Sequence, residues 1–316
     1  MTDDTYARVS KRIDDEWYPF HRDEWFTLQD ICSYFLWNEQ NTRKQVTRKL
    51  YHDYAERKQP LLDKLGRTYR IIDDIAEDID WQNADTSKPM DILLPFNLHK
   101  YVKLFPKSIV CIAGEPNSGK SAFLFNTLLM NMDKEWVFYN SETSREQLKE
   151  RFSYFEDEYN IPNPAPFKVK ERYDNFADVI NPSGYTIIDY IDADSDFFTI
   201  GAEISRIHKK LSTGICVCAI QKKPGIKNFK GQIVDSGMGY GGALTMKRPD
   251  LYITMTTQNI LTIKKGKSWV DPKVNPNGMM WKYSLVNGAK FIYNRYYPDE
   301  EYHGTGYVEK QKEYEF

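Results

Sequence analysis

Between residues 90 and 295, short apolar runs alternate with segments whose apolar residues recur at helical spacing. Ile109, Val110, Cys111 and Ile112 predict a buried strand, and an amphipathic helix is expected to start near Lys120. Residues 136–140, 185–190 and 215–220 predict further apolar strands. Gln147, Leu148, Arg151 and Phe152 mark a helix after the first of these, and Ile200, Ile204, Ile207 and Leu211 mark one between the other two. Such alternation predicts an α/β fold, a mostly parallel sheet with helices on both faces. Past residue 250 the pattern changes to strands at 251–255, 260–263, 279–285 and 290–293, an antiparallel extension at one edge.

The first 90 residues follow another rhythm. Thr27 followed by Asp30 has the form of a helix N-cap, and Leu28, Ile31 and Phe35 then fall at helical spacing. After the polar break at 38–41, Val46, Leu50 and Tyr54 define a second helix. Residues 60–71 predict two short strands around Gly66. This order resembles a winged helix-turn-helix domain. The second helix carries Arg43, Lys44, Arg48 and Lys49, and the hairpin carries Lys64, Arg67 and Arg70. A basic helix beside a basic wing can neutralise the phosphates of duplex DNA. Solvated charges on an amphipathic helix, or a protein-binding module, are the alternatives. An acidic, loose stretch from Asp73 to Pro89 separates a domain at 1–85 from one at 86–316.

With 316 residues, two domains are the default, and a formal net charge of −2 gives no global field attracting nucleic acid. DNA contact must therefore rest on local patches. Cys32, Cys111, Cys216 and Cys218 lack metal-ligand spacing; Cys216 and Cys218 alternate with Val217 and are expected on one side of a strand, reduced and buried. The N-terminus lacks the apolar core of a signal, and no stretch is long enough to span a bilayer. A cytoplasmic, reducing compartment is the expectation.

Candidate chemistry concentrates at the predicted strand ends. Gly114, Glu115, Pro116, Asn117, Ser118, Gly119, Lys120 and Ser121 fit the phosphate-loop pattern G-x-x-x-x-G-K-[ST], with Ala122 next in the helix. Its glycines let backbone N–H groups converge on a phosphate chain, and the helix N-terminus adds partial positive charge. ATP with Mg²⁺ is the expected ligand: Lys120 would neutralise the β- and γ-phosphates, while the Ser121 hydroxyl and Asp189 would serve the metal. Glu142, beyond the strand at 136–140, can polarise an attacking water; a carboxylate at a helix N-terminus is its other reading. Gln221, ending the strand at 215–220, can sense the γ-phosphate. The stretch at 222–244 interleaves Lys222, Lys223, Lys227 and Lys230 with six glycines, Phe229 and Tyr240, suited to a single-stranded backbone and stacked bases; a flexible surface loop with solvated lysines is the other reading.

The succession GEPNSGKS, YNSET, IIDY and AIQ resembles the RecA-type ATPases, nearest the branch of DnaB-type helicases and KaiC-like proteins. That resemblance covers roughly residues 90–295. It implies that Glu142 is the catalytic base, that Asp189 belongs to the metal site and that Gln221 couples hydrolysis to a DNA loop. It also implies ATP bound between subunits of a ring or filament, a hexamer being one form. The basic pair that would complete a neighbour's site is matched only loosely, by Lys265 and Lys267 beside Lys264, with no arginine. The helicases' N-terminal helical domain is replaced by the winged-helix-like module. The expected function is a DNA-dependent ATPase acting in translocation, unwinding or remodelling of DNA, in replication or recombination of a mobile or viral genome. The alternative is an oligomeric DNA-binding regulator switched by ATP; self-phosphorylation in the KaiC-like manner has no further support in these residues.

Overall fold

The computed structural model describes residues 2–22, 24–73, 76–192, 197–223, 225–227, 233–234 and 237–297. Phe229 and Lys230, singled out in the sequence, lie outside the described residues, as does the tail beyond 297. The chain divides into two compact units, Met1–Ala84 and Asp85–Phe316.

The first unit contains α1 (Thr2–Arg12), β1 (Phe26–Thr27), α2 (Leu28–Tyr34), α3 (Gln40–Tyr51), β2 (Leu62–Leu65) and β3 (Thr68–Ile71). The three strands form an antiparallel sheet in the order β1-β3-β2, with Gly66 at positive φ in the β2–β3 turn. Thr27 and Asp30 close a capping box on α2, each side chain reaching the other's backbone N–H. Two elements were not anticipated. α1 is one, although Val9, Ile13 and Trp17 at i, i+4 and i+8 carry its buried stripe into the wider turn Ile13–Trp17. β1 is the other; two residues long, it pairs with β3. The inward face of α3 carries Val46, Lys49 and Leu50, and Asp53 lies one turn further on. The Lys49 ammonium meets Asp14 at 2.8 Å and Asp53 at 3.0 Å, while the Tyr18 hydroxyl donates to Asp53 at 2.9 Å.

The second unit begins with β4 (Ile109–Gly114), α4 (Lys120–Leu129), β5 (Trp136–Asn140), α5 (Arg145–Ser153), β6 (Lys168–Glu171) and α6 (Phe176–Val179). It continues with β7 (Tyr185–Ile191), α7 (Phe198–Lys210), β8 (Ile215–Gln221), β9 (Ile226–Lys227), β10 (Ile233–Val234) and α8 (Ala243–Met246). It closes with β11 (Leu251–Met255), β12 (Ile260–Gly266), β13 (Met280–Val286) and β14 (Lys290–Tyr296). Nine strands make one sheet in the order β14-β13-β12-β11-β4-β8-β7-β5-β6. It is parallel from β11 to β6 and antiparallel from β11 to β14. The antiparallel extension therefore starts one strand later than the sequence pattern suggested, because β11 still runs parallel to β4.

Alternation along β4 shows why helices cover both faces. Val110 and Ile112 join a cluster with Phe123, Leu124 and Leu128 of α4, whereas Ile109, Cys111 and Ala113 face Ile200, Ile204 and Ile207 of α7. Each such fully buried aliphatic contributes about 1.5–3 kcal/mol of transfer free energy. Cys111, Cys216 and Cys218 are free, buried and share the α7 side of the sheet. β6 and α6 have no counterpart in the sequence reading; Lys-Val-Lys-Glu carries no apolar run and every residue of β6 is exposed. Among the described residues no helix is long and apolar enough to cross a membrane.

The Lys49–Asp53 contact generates a stability prediction for the first unit. Asp53→Ala leaves the buried Lys49 ammonium with only the exposed Asp14 and deprives the buried Tyr18 hydroxyl of its acceptor, so it should cost about 3 kcal/mol. Urea denaturation followed by tryptophan fluorescence checks this through the transition to which Trp17 reports; an unchanged midpoint would contradict it.

Candidate active site

Register assembles the site. Parallel pairing sets Gly114 of β4 opposite Gln221 of β8, and Asp189 of β7 opposite Asn140 of β5. The carboxyl ends of these strands thereby reach one edge, where α/β sheets place ligands. A cleft of about 380 Å³ opens there. Lys120, Ser121, Glu142 and Gln221 all line it, together with Pro116, Asn117, Gly119 and Ala122.

The loop between β4 and α4 has the backbone its sequence demands. Asn117 and Gly119 take positive φ, +60° and +88°. A side chain on Gly114 would strike Lys120, and would stand 2.6 Å from the Ser118 hydroxyl. The stem of the Lys120 side chain thus lies over Gly114, and its ammonium donates to the Glu115 carbonyl at 3.0 Å. The first bond of α4 runs from Phe123 N–H to the Gly119 carbonyl at 2.9 Å. The N–H groups of Lys120, Ser121 and Ala122 are therefore not used by the helix, and with its dipole they favour an anion.

The end of β5 is turned toward the same cleft by local hydrogen bonds. The Asn140 side chain accepts from Thr143 N–H at 3.2 Å and from its hydroxyl at 2.7 Å, closing a tight turn around Glu142. Ser141 stitches this turn to β7, donating to the Asp189 carbonyl at 3.1 Å and accepting from Tyr190 N–H at 3.0 Å. Glu142 itself is exposed.

Asp189 lies beneath, 3% exposed, and β7 continues two residues past it to Ile191. Burial pushes its carboxyl up to about 6; the Ser121 hydroxyl draws it back, Glu142 raises it further, and Arg151 and Lys120 lower it. Burial also pushes the Lys120 ammonium down, against the pull of Asp189, Glu142 and Glu115. These groups are electrostatic neighbours. Two buried oxygens here, Asp189 Oδ1 and Ser118 Oγ, have no hydrogen-bond partner. An orphaned carboxylate oxygen suits the water shell of a hydrated Mg²⁺, which keeps several waters and takes few protein ligands, and an orphaned hydroxyl can donate to a phosphate oxygen. Among the described residues no group of three His, Cys, Asp or Glu forms an all-protein metal cage.

Several residues of the cleft were not singled out for chemistry. Arg151 and Tyr154 come from α5 and its end, Tyr190 follows Asp189, and Leu285, Asn287 and Gly288 come from the β13–β14 hairpin. The Asn-Gly pair marks the hairpin turn in the sequence. Its position beside the loop comes from distant contacts: the Tyr283 hydroxyl donates to the Ser118 carbonyl at 2.6 Å, and the Asn126 amide to the Ala289 carbonyl at 2.8 Å.

Other candidates are placed elsewhere. Glu115 enters the site through its backbone; its carboxylate accepts from Lys222 Nζ at 3.0 Å and from Thr257. Lys222 is 0% exposed, so its assignment to nucleic acid is corrected. Lys223 lies over the Tyr240 ring at 5.6 Å, and Tyr240 stacks on Phe197 at 4.2 Å. Lys227 is on β9, which pairs with β10 inside the stretch expected to be a loop. Lys265 donates to the carbonyls of Met246 and Lys247, and Lys267 pairs with Asp250 at 2.8 Å, so both candidate fingers are engaged within their own chain.

In the first unit Lys49, 4% exposed and paired with two aspartates, is likewise corrected as a nucleic-acid contact. Its side chain falls on the inward stripe of α3. Lys44, Arg48 and Arg67 are exposed. Arg43 donates to Gln29 at 2.6 Å, and Arg70 meets Asp63 at 3.3 Å and lies over Trp25. Comparison with protein-family models and with curated proteins gives no match.

The raised Asp189 carboxyl gives a pH prediction. Its folded value near 6 exceeds the ordinary aspartate value, so the folded chain holds an extra proton between about pH 4 and 6 and loses stability as pH rises through that window. Asp189→Asn should therefore stabilise the ligand-free protein by roughly 2 kcal/mol at about pH 8, the gain shrinking toward about pH 4. Denaturation midpoints of both forms across this range provide the check; a pH-independent difference would contradict it.

Proposed function

We propose that the second unit is a Mg-ATP hydrolase of RecA type and that the whole chain is a DNA-dependent ATPase. The observation that carries this reading is the convergence of Lys120, Ser121, Glu142 and Gln221 on one cleft above the buried Asp189. In this reading the N–H groups at the start of α4 and the Lys120 ammonium hold the phosphate chain. Mg²⁺, held by the Ser121 hydroxyl and through water by Asp189, would supply neutralisation of the β- and γ-phosphates. Glu142 accepts a proton from a water molecule aligned with the γ-phosphorus. As the water oxygen bonds to phosphorus, the bond to the bridging oxygen breaks and ADP takes the electron pair. Arg151, Tyr154 and the hairpin tip at Asn287 would border the rest of the nucleotide.

The DNA contacts belong to the same proposal. Lys44, Arg48 and Arg67 are the exposed cations with which a winged-helix-like module would meet duplex phosphates. Lys223, with the Phe197–Tyr240 stack, offers a cation and ring faces to a single strand. Coupling the two would require self-association with ATP bound between subunits, and translocation or remodelling would follow from movement of the 222–244 stretch. One observation favours the second reading, an ATP-switched DNA-binding regulator: Lys265 and Lys267 are held by their own chain rather than presented to a neighbour.

ATPase rate measured without DNA, with duplex and with single strands separates the two. The motor reading expects stimulation by single strands; the switch reading expects turnover indifferent to DNA and operator binding that depends on ATP. In both, Lys120→Ala should weaken Mg-ATP binding at least about a hundredfold, and Glu142→Gln should bind Mg-ATP while losing about 10²–10⁴ in turnover. Full affinity in the lysine variant would remove the nucleotide assignment.

A further inference from the structure

At the amino ends of the parallel strands, the border of the sheet opposite the cleft, segments far apart in the chain are drawn together by backbone bonds. Lys107, just before β4, donates through its N–H to the Gly214 carbonyl at 2.9 Å, and Gly214 N–H donates to the Pro182 carbonyl ahead of β7. Asp250, just before β11, donates through its N–H to the Ile109 carbonyl at 2.8 Å, and its carboxylate accepts from Ile109 N–H at 3.2 Å. β12 runs the other way, so its far end brings Lys267 to Asp250 at 2.8 Å and to the Arg248 carbonyl at 3.1 Å. The last turn of α7 adds His208, Lys209 and Lys210.

The side chains gathered there are mostly cations. His208 registers the crowding: burial pushes its imidazole down, Lys107, Arg248 and Lys267 push it further, and Asp250 draws it back. Lys265 is lowered in the same way, by burial and by Lys267 against Asp250. Asp250 is already engaged by Lys267 and by Ile109 N–H, so it leaves the other cations without a counter-charge of their own. Arg248 Nε is buried and finds no hydrogen-bond partner among the described residues. Lys107 is held in the left-handed region at a φ of +72°, a conformation that costs a side-chain-bearing residue free energy. Folding gains nothing from bringing like charges together, because each addition raises the local potential against the next. Lysines that merely solvate a surface can spread apart; these are fixed at their Cα positions by strand pairing.

The surroundings indicate what would meet such a field. Ser183, Ser212 and Thr213 are exposed along the same border, and the Ser183 and Ser212 hydroxyls lie 3.1 Å apart. A protein partner is recognised through a buried apolar centre, with charge at the rim. Cations interspersed with small hydroxyls instead match the oxygens of successive phosphates, which accept from ammonium, guanidinium and hydroxyl donors alike.

We infer that Lys107, His208, Arg248 and Lys267 form a binding site for the phosphate backbone of a nucleic acid, on the sheet border opposite the nucleotide cleft. The inference rests on the DNA half of the function proposed above and is independent of the nucleotide half. It adds a contact separate from Lys44, Arg48 and Arg67 of the first unit and from Lys223. Contact there is with phosphates, so it supplies affinity without reading sequence.

The test is fluorescence anisotropy of a labelled oligonucleotide, single-stranded and duplex, titrated with the full chain at several salt concentrations, beside the ATPase rate without DNA. K107Q/R248Q should weaken binding at least about tenfold at about 0.1 M salt. It should also flatten the slope of log affinity against log salt by about 1.4 for a single strand or about 1.8 for a duplex. K107R/R248K keeps both charges and should bind within about threefold of wild type. Lys107→Gln alone should flatten the slope by about half as much, and it serves if the double variant does not fold. Wild-type affinity or slope in a glutamine variant overturns the inference, as does equal weakening in the charge-preserving variant. Loss of the DNA-free ATPase rate at unchanged DNA affinity also overturns it, assigning the cluster to a nucleotide held by a neighbouring copy. Failure of the wild-type chain to bind either oligonucleotide removes the DNA reading and the inference together; wild-type binding that the glutamine variants share removes the inference alone.

Discussion

The structure depends on in-register parallel pairing of β4, β8, β7 and β5. Since side chains alternate faces along a strand, a slip of one residue would exchange the two buried faces of β4 and lift Gly114 out of line with Gln221. Hydrophobic burial on both faces holds this register, through Phe123 and Leu124 on one side and Ile200 and Ile204 on the other. The polar residues at the strand ends inherit their geometry from it. Their convergence follows from apolar packing of the strands against the helices, and the local hydrogen bonds of Asn140 and Ser141 then aim Glu142.

The second constraint is the brace that the antiparallel edge applies to the glycine loop. Phe96 packs against Phe123, Tyr283, Phe291 and Tyr293. Leu285 and Phe291 approach Gly119 so closely that a Cβ there would stand 3.3 Å from each. The loop combines two left-handed residues, Asn117 and Gly119, with an exposed tip at Pro116 and Asn117. Bonds from Tyr283 to Ser118 and from Asn126 to Ala289 supply the rigidity that its sequence withholds.

Legibility in the sequence followed range. The strand, loop and helix from Ile109 to Leu129 could be read because local period and local turn chemistry agree there. Thr27 with Asp30, and the turn at Gly66, were legible for the same reason. Lys222 was read as a surface cation because the glutamate that buries it lies 107 residues away; of the two aspartates that hold Lys49, Asp14 lies 35 residues away and Asp53 one helical turn on. The hairpin tip beside the cleft was not read, although Asn287-Gly288 is a turn signal, since the contact that docks it spans 165 residues. β6 escaped because its backbone makes the strand while its side chains carry no period, and α6 is a single turn. Burial of charge and docking of turns are tertiary facts, and a pattern one window wide does not contain them.

β6 also finishes the sheet. Among the described residues no further strand pairs beyond it, and three of its four side chains are Lys168, Lys170 and Glu171. Any foreign strand laying itself along this border must strip hydration from ionised groups on both sides of the pleat. The border therefore guards against indiscriminate fibril-like growth, letting the chain keep a large sheet without capping it by a helix.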